Sequence, residues 1–142
     1  MRVSRDPSER RRKKVRFFQR YVLNPPTMLA VRFGLVRGHV LIETIGRRTG
    51  KRRRNVVGMH IEDSTGWVVA EQGRHAGYVR NIVANPGVRV CVGGSWRTAH
   101  AEIVDEDDVQ ARLDSFGRPR HATNVRRFGT DLLTVRFDFG GA

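Results

Sequence analysis

Apolar and polar positions change period once along the chain. Up to about residue 38 they recur at helical spacing, and from Val40 to Val104 they mostly alternate in twos. Asp6-Pro7-Ser8-Glu9 marks a helix start, with a capping acid, a proline in the first turn and a glutamate three residues after the aspartate. That helix carries Val15, Phe18 and Val22 on one side, and Asn24-Pro25-Pro26 ends it. Residues 27–36 read as a second short helix closed by Gly38.

Strand patterns follow at 40–45, 54–62 and 67–71, with a turn expected at Ser64-Thr65-Gly66. A polar loop then leads into a helix over 78–84, where Tyr78 and Ile82 lie one turn apart and Asn85-Pro86-Gly87 stops it. Residues 88–92 and 96–104 flank a Gly93-Gly94-Ser95 hairpin turn. Asp105 to Asp108 open a helix bearing Val109, Leu113 and Phe116, with their acids at the positive end of its dipole. Leu133, Val135, Phe137 and Phe139 alternate in a final strand. The sum is a mainly β (α+β) fold: a small barrel of about six mostly antiparallel strands with short flanking helices. Residues 1–23 stand apart as a basic N-terminal helix, and 24–142 form the single barrel domain.

Charge sharpens this picture. The chain of 142 residues carries a formal net charge of +13. Nine Lys/Arg against two acids in the first 20 residues contribute +7, which leaves +6 for the rest. An excess of this size favours anionic partners. The charged N-terminus lacks the apolar core of a signal peptide, and no apolar run approaches the ~20 residues of a membrane span. A cytoplasmic protein is expected, with the basic helix able to lie on an anionic membrane face. The one cysteine, Cys91, excludes an internal disulfide and is expected to be a half-buried, inert thiol.

Two segments carry candidate chemistry. Six of the ten residues in Gly46-Arg47-Arg48-Thr49-Gly50-Lys51-Arg52-Arg53-Arg54-Asn55 are cations, concentrated where a hairpin must reverse. Reversal alone asks for Gly, Asn or Asp. So much like charge is either a solvated loop or an anion-binding edge of guanidinium and backbone N–H groups. The second segment, Glu71-Gln72-Gly73-Arg74-His75-Ala76-Gly77-Tyr78, runs from a strand end into a helix N-terminus, whose free N–H groups suit an anion or a ring carbonyl. The five histidines show no metal-ligand spacing, and no serine sits in a nucleophile elbow.

The order Gly46-Arg47-Arg48-Thr49-Gly50-x-x-Arg53-x-Asn55, then Val68-Val69-Ala70, a glycine-containing loop and Tyr78-x-x-Asn81-Ile82-x-Ala84-Asn85-Pro86, resembles the deazaflavin-dependent nitroreductase and quinone reductase family. These are actinobacterial split β-barrel proteins that use coenzyme F-420. The resemblance runs from about residue 24 to residue 138. It implies that Arg48, Arg53 and Asn55 hold the phosphate and the oligoglutamate tail of the cofactor. It also implies that Ala70, Gln72, Gly73 and Arg74 lie against the deazaflavin ring, and that Tyr78 and Asn81 line its pocket. Arg52 and Val56 stand where family members commonly have proline. The C-terminal tyrosines of the nitroimidazole pocket have no equivalents, since Tyr21 and Tyr78 are the only tyrosines.

The reading that follows is an oxidoreductase that passes hydride from reduced deazaflavin to a flat, electron-poor acceptor such as a quinone or enone. No catalytic acid is assigned; Tyr78, His75 and solvent are the candidates for protonating product. FMN is the alternative cofactor, though the cationic turn favours the longer anionic tail. A non-turnover carrier of deazaflavin, FMN or a lipid-like ligand is the competing class. Nucleic-acid binding through the N-terminal arm and Arg118, Arg120, Arg126 and Arg127 ranks below it, because no recognised motif is present. A monomer is favoured over an oligomer.

Overall fold

The alternation that begins at Val40 becomes one seven-stranded antiparallel sheet in the computed structural model, which describes residues 25–140 apart from Leu35 and Arg37. The helix expected over 1–23 lies outside the described residues. The elements are α1 (Pro25–Arg32), β1 (His39–Ile45), β2 (Arg52–Gly58), β3 (His60–Glu62), β4 (Thr65–Ala70), α2 (Gly77–Ala84), β5 (Gly87–Val92), β6 (Ser95–Val104), α3 (Val109–Ser115), α4 (Pro119–Phe128) and β7 (Leu133–Asp138). The strand expected over 54–62 is two strands, broken at Met59, and this break raises the count from six to seven.

Strand order is β2-β1-β5-β6-β7-β4-β3, so the two edge strands are consecutive in sequence. The sheet curls into a half-barrel until only Met59 separates its edges. The Met59 N–H donates to the Gly38 carbonyl at 3.0 Å, and its side chain is buried in the interior. The turn expected at 64–66 falls one residue earlier, with Asp63 at φ 54°. Gly66 instead lies within β4, where a Cβ would stand 2.5 Å from the Met59 sulfur. Its missing side chain makes room for the residue that bridges the edges. Gly93 and Gly94, with φ of 55° and 88°, form the two-residue turn between Val92 and Ser95, a conformation that only glycine adopts without strain.

Inward-facing residues of every long strand, including Ile42, Val68, Val90, Val135 and Phe137, form the main core. Val79 and Ile82 join it from α2, which thereby plugs the barrel; each contributes roughly 1.5–3 kcal/mol by burial. The outer face of β1 is buried too, because α1 packs Val31 against Leu41 and Cys91. Cys91 is therefore fully buried rather than half-buried. A third cluster sets Leu113, Phe116, Ala122 and Val125 of the α3–α4 region over Val69 on β4. Asp108 caps α3 by accepting the Ala111 N–H at 3.0 Å. No helix among the described residues is long and apolar enough to cross a membrane.

Candidate active site

The register of β1 with β2 sorts the cations of the basic turn. Ile42 pairs with Asn55 and Thr44 with Arg53, which puts Arg53 and Asn55 on the inward face; Arg52 and Arg54 fall on the outward face with Glu43. Glu43 is buried and accepts from Arg54 Nε at 3.1 Å and Arg89 Nε at 2.9 Å, with Arg52 at 3.6 Å. Burial raises its pKa, but the hydrogen bonds and charges of Arg89 and Arg54 outweigh this and hold the carboxyl below the usual value. Arg54 and Arg89 also lie over Trp96, each 4.7 Å from the ring centroid. Arg48, Lys51 and Arg53 form no ion pair among the described residues.

Asn81 ties this turn to α2. Its buried amide accepts from the Arg47 backbone N–H at 3.2 Å and from Arg47 Nη1 at 3.1 Å, and donates to Thr44 Oγ1 at 3.1 Å. Within the turn, Gly46 N–H donates to the Lys51 carbonyl at 2.7 Å and Gly50, at φ 70°, closes the loop. A groove of about 680 Å³ results, bordered by Arg48, Arg53, Asn55, Gly77, Tyr78 and Asn81. The first turn of α2 opens on it. No side chain caps that helix, and a Cβ on Gly77 would meet open space.

Asn55, Gly77 and Tyr78 also line a second cavity of about 420 Å³, so the two adjoin. Glu71 and Gln72 at the end of β4 border it, and α4 supplies Arg118, Arg120, His121 and Asn124. α4 docks by close approach to glycine. Arg118 donates to the Gly38 carbonyl at 3.2 Å, and a Cβ on Gly58 would stand 2.6 Å from His121 Cε1. Burial, Arg118 and His39 lower the His121 pKa to about 4, so the imidazole is neutral at pH 7. Burial raises the Glu71 carboxyl; burial and the Glu71 charge raise the Tyr78 phenol, which stays protonated.

Of the residues singled out from sequence, Arg48, Arg53, Asn55, Gln72, Tyr78 and Asn81 come together around these adjoining cavities. Ala70, Gly73, Arg74 and His75 do not line it. Ala70 is wholly buried in the barrel core. Gly73, at φ 51°, leaves room for Asp131, whose carbonyl would lie 2.1 Å from a Cβ. Arg74 is exposed and paired with Asp105, and His75 is exposed in the 3-10 turn Gly73–His75. To the residues singled out from sequence the structure adds the α4 wall of this site, and α4 itself as a helix. Gly117 followed by Pro119, with Ala122 and Val125 three apart, was the available signal. No group of three His, Cys, Asp or Glu among the described residues is placed to hold a metal.

The curled sheet is plugged by an uncapped helix whose start borders both a cationic groove and a partly apolar cavity, a setting suited to an extended anionic ligand. The family model described as F-420H(2)-dependent quinone reductase matches residues 11–139, and the chain belongs to that family. No curated protein matches the chain in sequence. Among solved structures, an F-420-H2-dependent reductase is similar at 23% identity and a TM-score of 0.56, over 72% of this chain and 94% of that one. A structure described as a domain-swapped dimer is similar at 21% identity and a TM-score of 0.56, over 89% and 98% of the respective chains. HutZ, the heme storage protein from Vibrio cholerae, is similar at 15% identity and a TM-score of 0.57, over 83% and 91%. At these identities the likeness is one of fold.

Proposed function

We propose that this chain reduces a flat, electron-poor acceptor, such as a quinone or enone, at the expense of reduced coenzyme F-420. The observation that carries the reading is that the two cavities share Asn55, Gly77 and Tyr78 as lining, with a cationic groove on one side and a partly apolar chamber on the other. Arg48 and Arg53, with no carboxylate partner among the described residues, would hold the phosphate and tail. Asn55, Gln72, the first turn of α2 and Tyr78 would border the ring. When bound, the cofactor supplies a hydride, a two-electron equivalent that needs no radical chemistry from the protein.

The chain's own groups orient, exclude water and handle the proton. Asn81 does not need to touch the cofactor; through Arg47 and Thr44 it fixes where the basic turn sits. The barrel core behind Tyr78 keeps water from that side. Glu71 and Tyr78 both border the chamber and can carry a proton there, whereas His75 lies outside it. His121 is neutral, so it serves as a hydrogen-bonding group rather than an acid. FMN, with a single phosphate, would engage fewer of the groove's cations.

A fluorescence-quench titration with oxidised F-420, run beside FMN, tests this. Micromolar binding to F-420 with weaker FMN binding is expected, and Arg53→Ala should weaken F-420 binding by about 1–3 kcal/mol. Equal affinity for the two cofactors, or an unaffected Arg53→Ala variant, would remove the assignment.

A further inference from the structure

The 420 Å³ cavity has two chemically unlike sides. Asn55, Gly77 and Tyr78 are shared with the cationic groove, but Arg118, Arg120, His121 and Asn124 are not. Those four come from α4 and the residue before it, packed on the outer side of β4. Arg118 is held against Gly38, and His121 is held against Gly58. Arg120 is exposed at the rim and has no ion pair among the described residues. Glu71 is the single acid among the described residues that line the cavity, and it lies beside Tyr78 rather than on α4. The α4 side is therefore a flat, neutral imidazole and an amide bordered by the guanidinium groups of Arg118 and Arg120.

We infer that the α4 side is an acceptor subsite that selects planar acceptors bearing a negative charge, a ring carboxylate or an ionised hydroxyl, with Arg120 as the group that recognises the charge. The inference rests on the proposed reductase reading for the word acceptor, but the binding preference does not depend on it. An anionic substituent would meet the Arg120 guanidinium at the rim while the ring packs along His121 and Asn124. Acceptors of equal shape but no charge would keep the ring contacts and lose the charge-assisted one.

The test is calorimetric titration of the full chain, without cofactor, against the hydroxynaphthoquinone lawsone, which is ionised at neutral pH, and against its neutral methyl ether. Lawsone should bind about tenfold more tightly, the scale of one charge-assisted hydrogen bond. Arg120→Gln should bring the two ligands to within about twofold while leaving F-420 affinity unchanged. Equal binding of the two by the unaltered chain overturns the inference. So does a preference that survives Arg120→Gln, or competitive displacement of lawsone by oxidised F-420. If lawsone shows the Arg120-dependent preference while F-420 does not bind, the subsite stands and the deazaflavin reading falls.

Discussion

Glu43 supplies part of the answer to the charge problem posed by the basic turn. A strand's twofold period sends alternate side chains to opposite faces, so a run of cations on β2 divides into two sets with different work. All four of Arg48, Arg52, Arg53 and Arg54 border the groove, but Arg52 and Arg54 are tied with Arg89 to a buried carboxylate, while Arg48 and Arg53 have no ion pair among the described residues. The two sets should respond oppositely to substitution. Glu43→Gln leaves Arg54 and Arg89 without their counter-charge and should cost about 1–3 kcal/mol at neutral pH, read from denaturant melts. The carboxyl's pKa is depressed in the fold, so its contribution is complete above the ordinary value of 4.5 and is lost as pH falls through the folded value. The gap between Glu43→Gln and the unaltered protein should therefore close on acidification. Arg48→Ala and Arg53→Ala, by contrast, should change stability by no more than about 0.5 kcal/mol and act on cofactor binding alone.

α4 is the element on which site and stability meet, and it is the one that the chain's pattern disguised. Its buried residues are small, Ala122 and Val125, and polar residues outnumber them, so its apolar stripe is narrow and easily overlooked in a strongly polar segment. The strands were legible because one of their faces is uniformly apolar; the break at Met59 was not, because alternation runs through it unchanged. Glu43 escaped notice for a related reason, since its partners Arg54 and Arg89 become neighbours only once β2 and β5 are in register with β1. The groove could be read from the run at 46–55, whereas the α4 wall of the adjoining cavity comes from residues 118–124. The docking of α4 makes a pH prediction. His121 has a folded pKa of about 4 against an ordinary 6.5, so between these values the unfolded chain binds the extra proton. Stability should fall as pH drops from about 6.5 to about 4, by no more than about 3 kcal/mol, and His121→Gln should flatten that slope. Gly58→Ala, which drives a methyl group into the imidazole, should cost about 1–3 kcal/mol at any pH, read from thermal midpoints.

At the scale of the molecule, curling brings the ends of the sheet together and sets α2 beside the β1–β2 turn, so that one uncapped helix start faces both the groove and the chamber. An anionic ligand that spans both would be held at one end by fixed cations and at the other by packing. These two contributions differ in range. The Debye length shrinks from about 10 Å at 0.1 M salt to about 3 Å at 1 M, which screens exposed cations such as Arg48 and Arg53 and leaves burial of a ring nearly untouched. F-420, whose tail carries several charges, should therefore bind at least about tenfold more weakly at 1 M than at 0.1 M sodium chloride, whereas FMN, with one phosphate, should lose only a few-fold. The Arg48→Ala, Arg53→Ala double variant should bind F-420 with the shallow salt dependence of FMN. A salt slope that is equal for the two cofactors, or one that the double variant keeps in full, would mean that the net charge of +13 acts as a general field and that the groove's own arginines do not hold the tail.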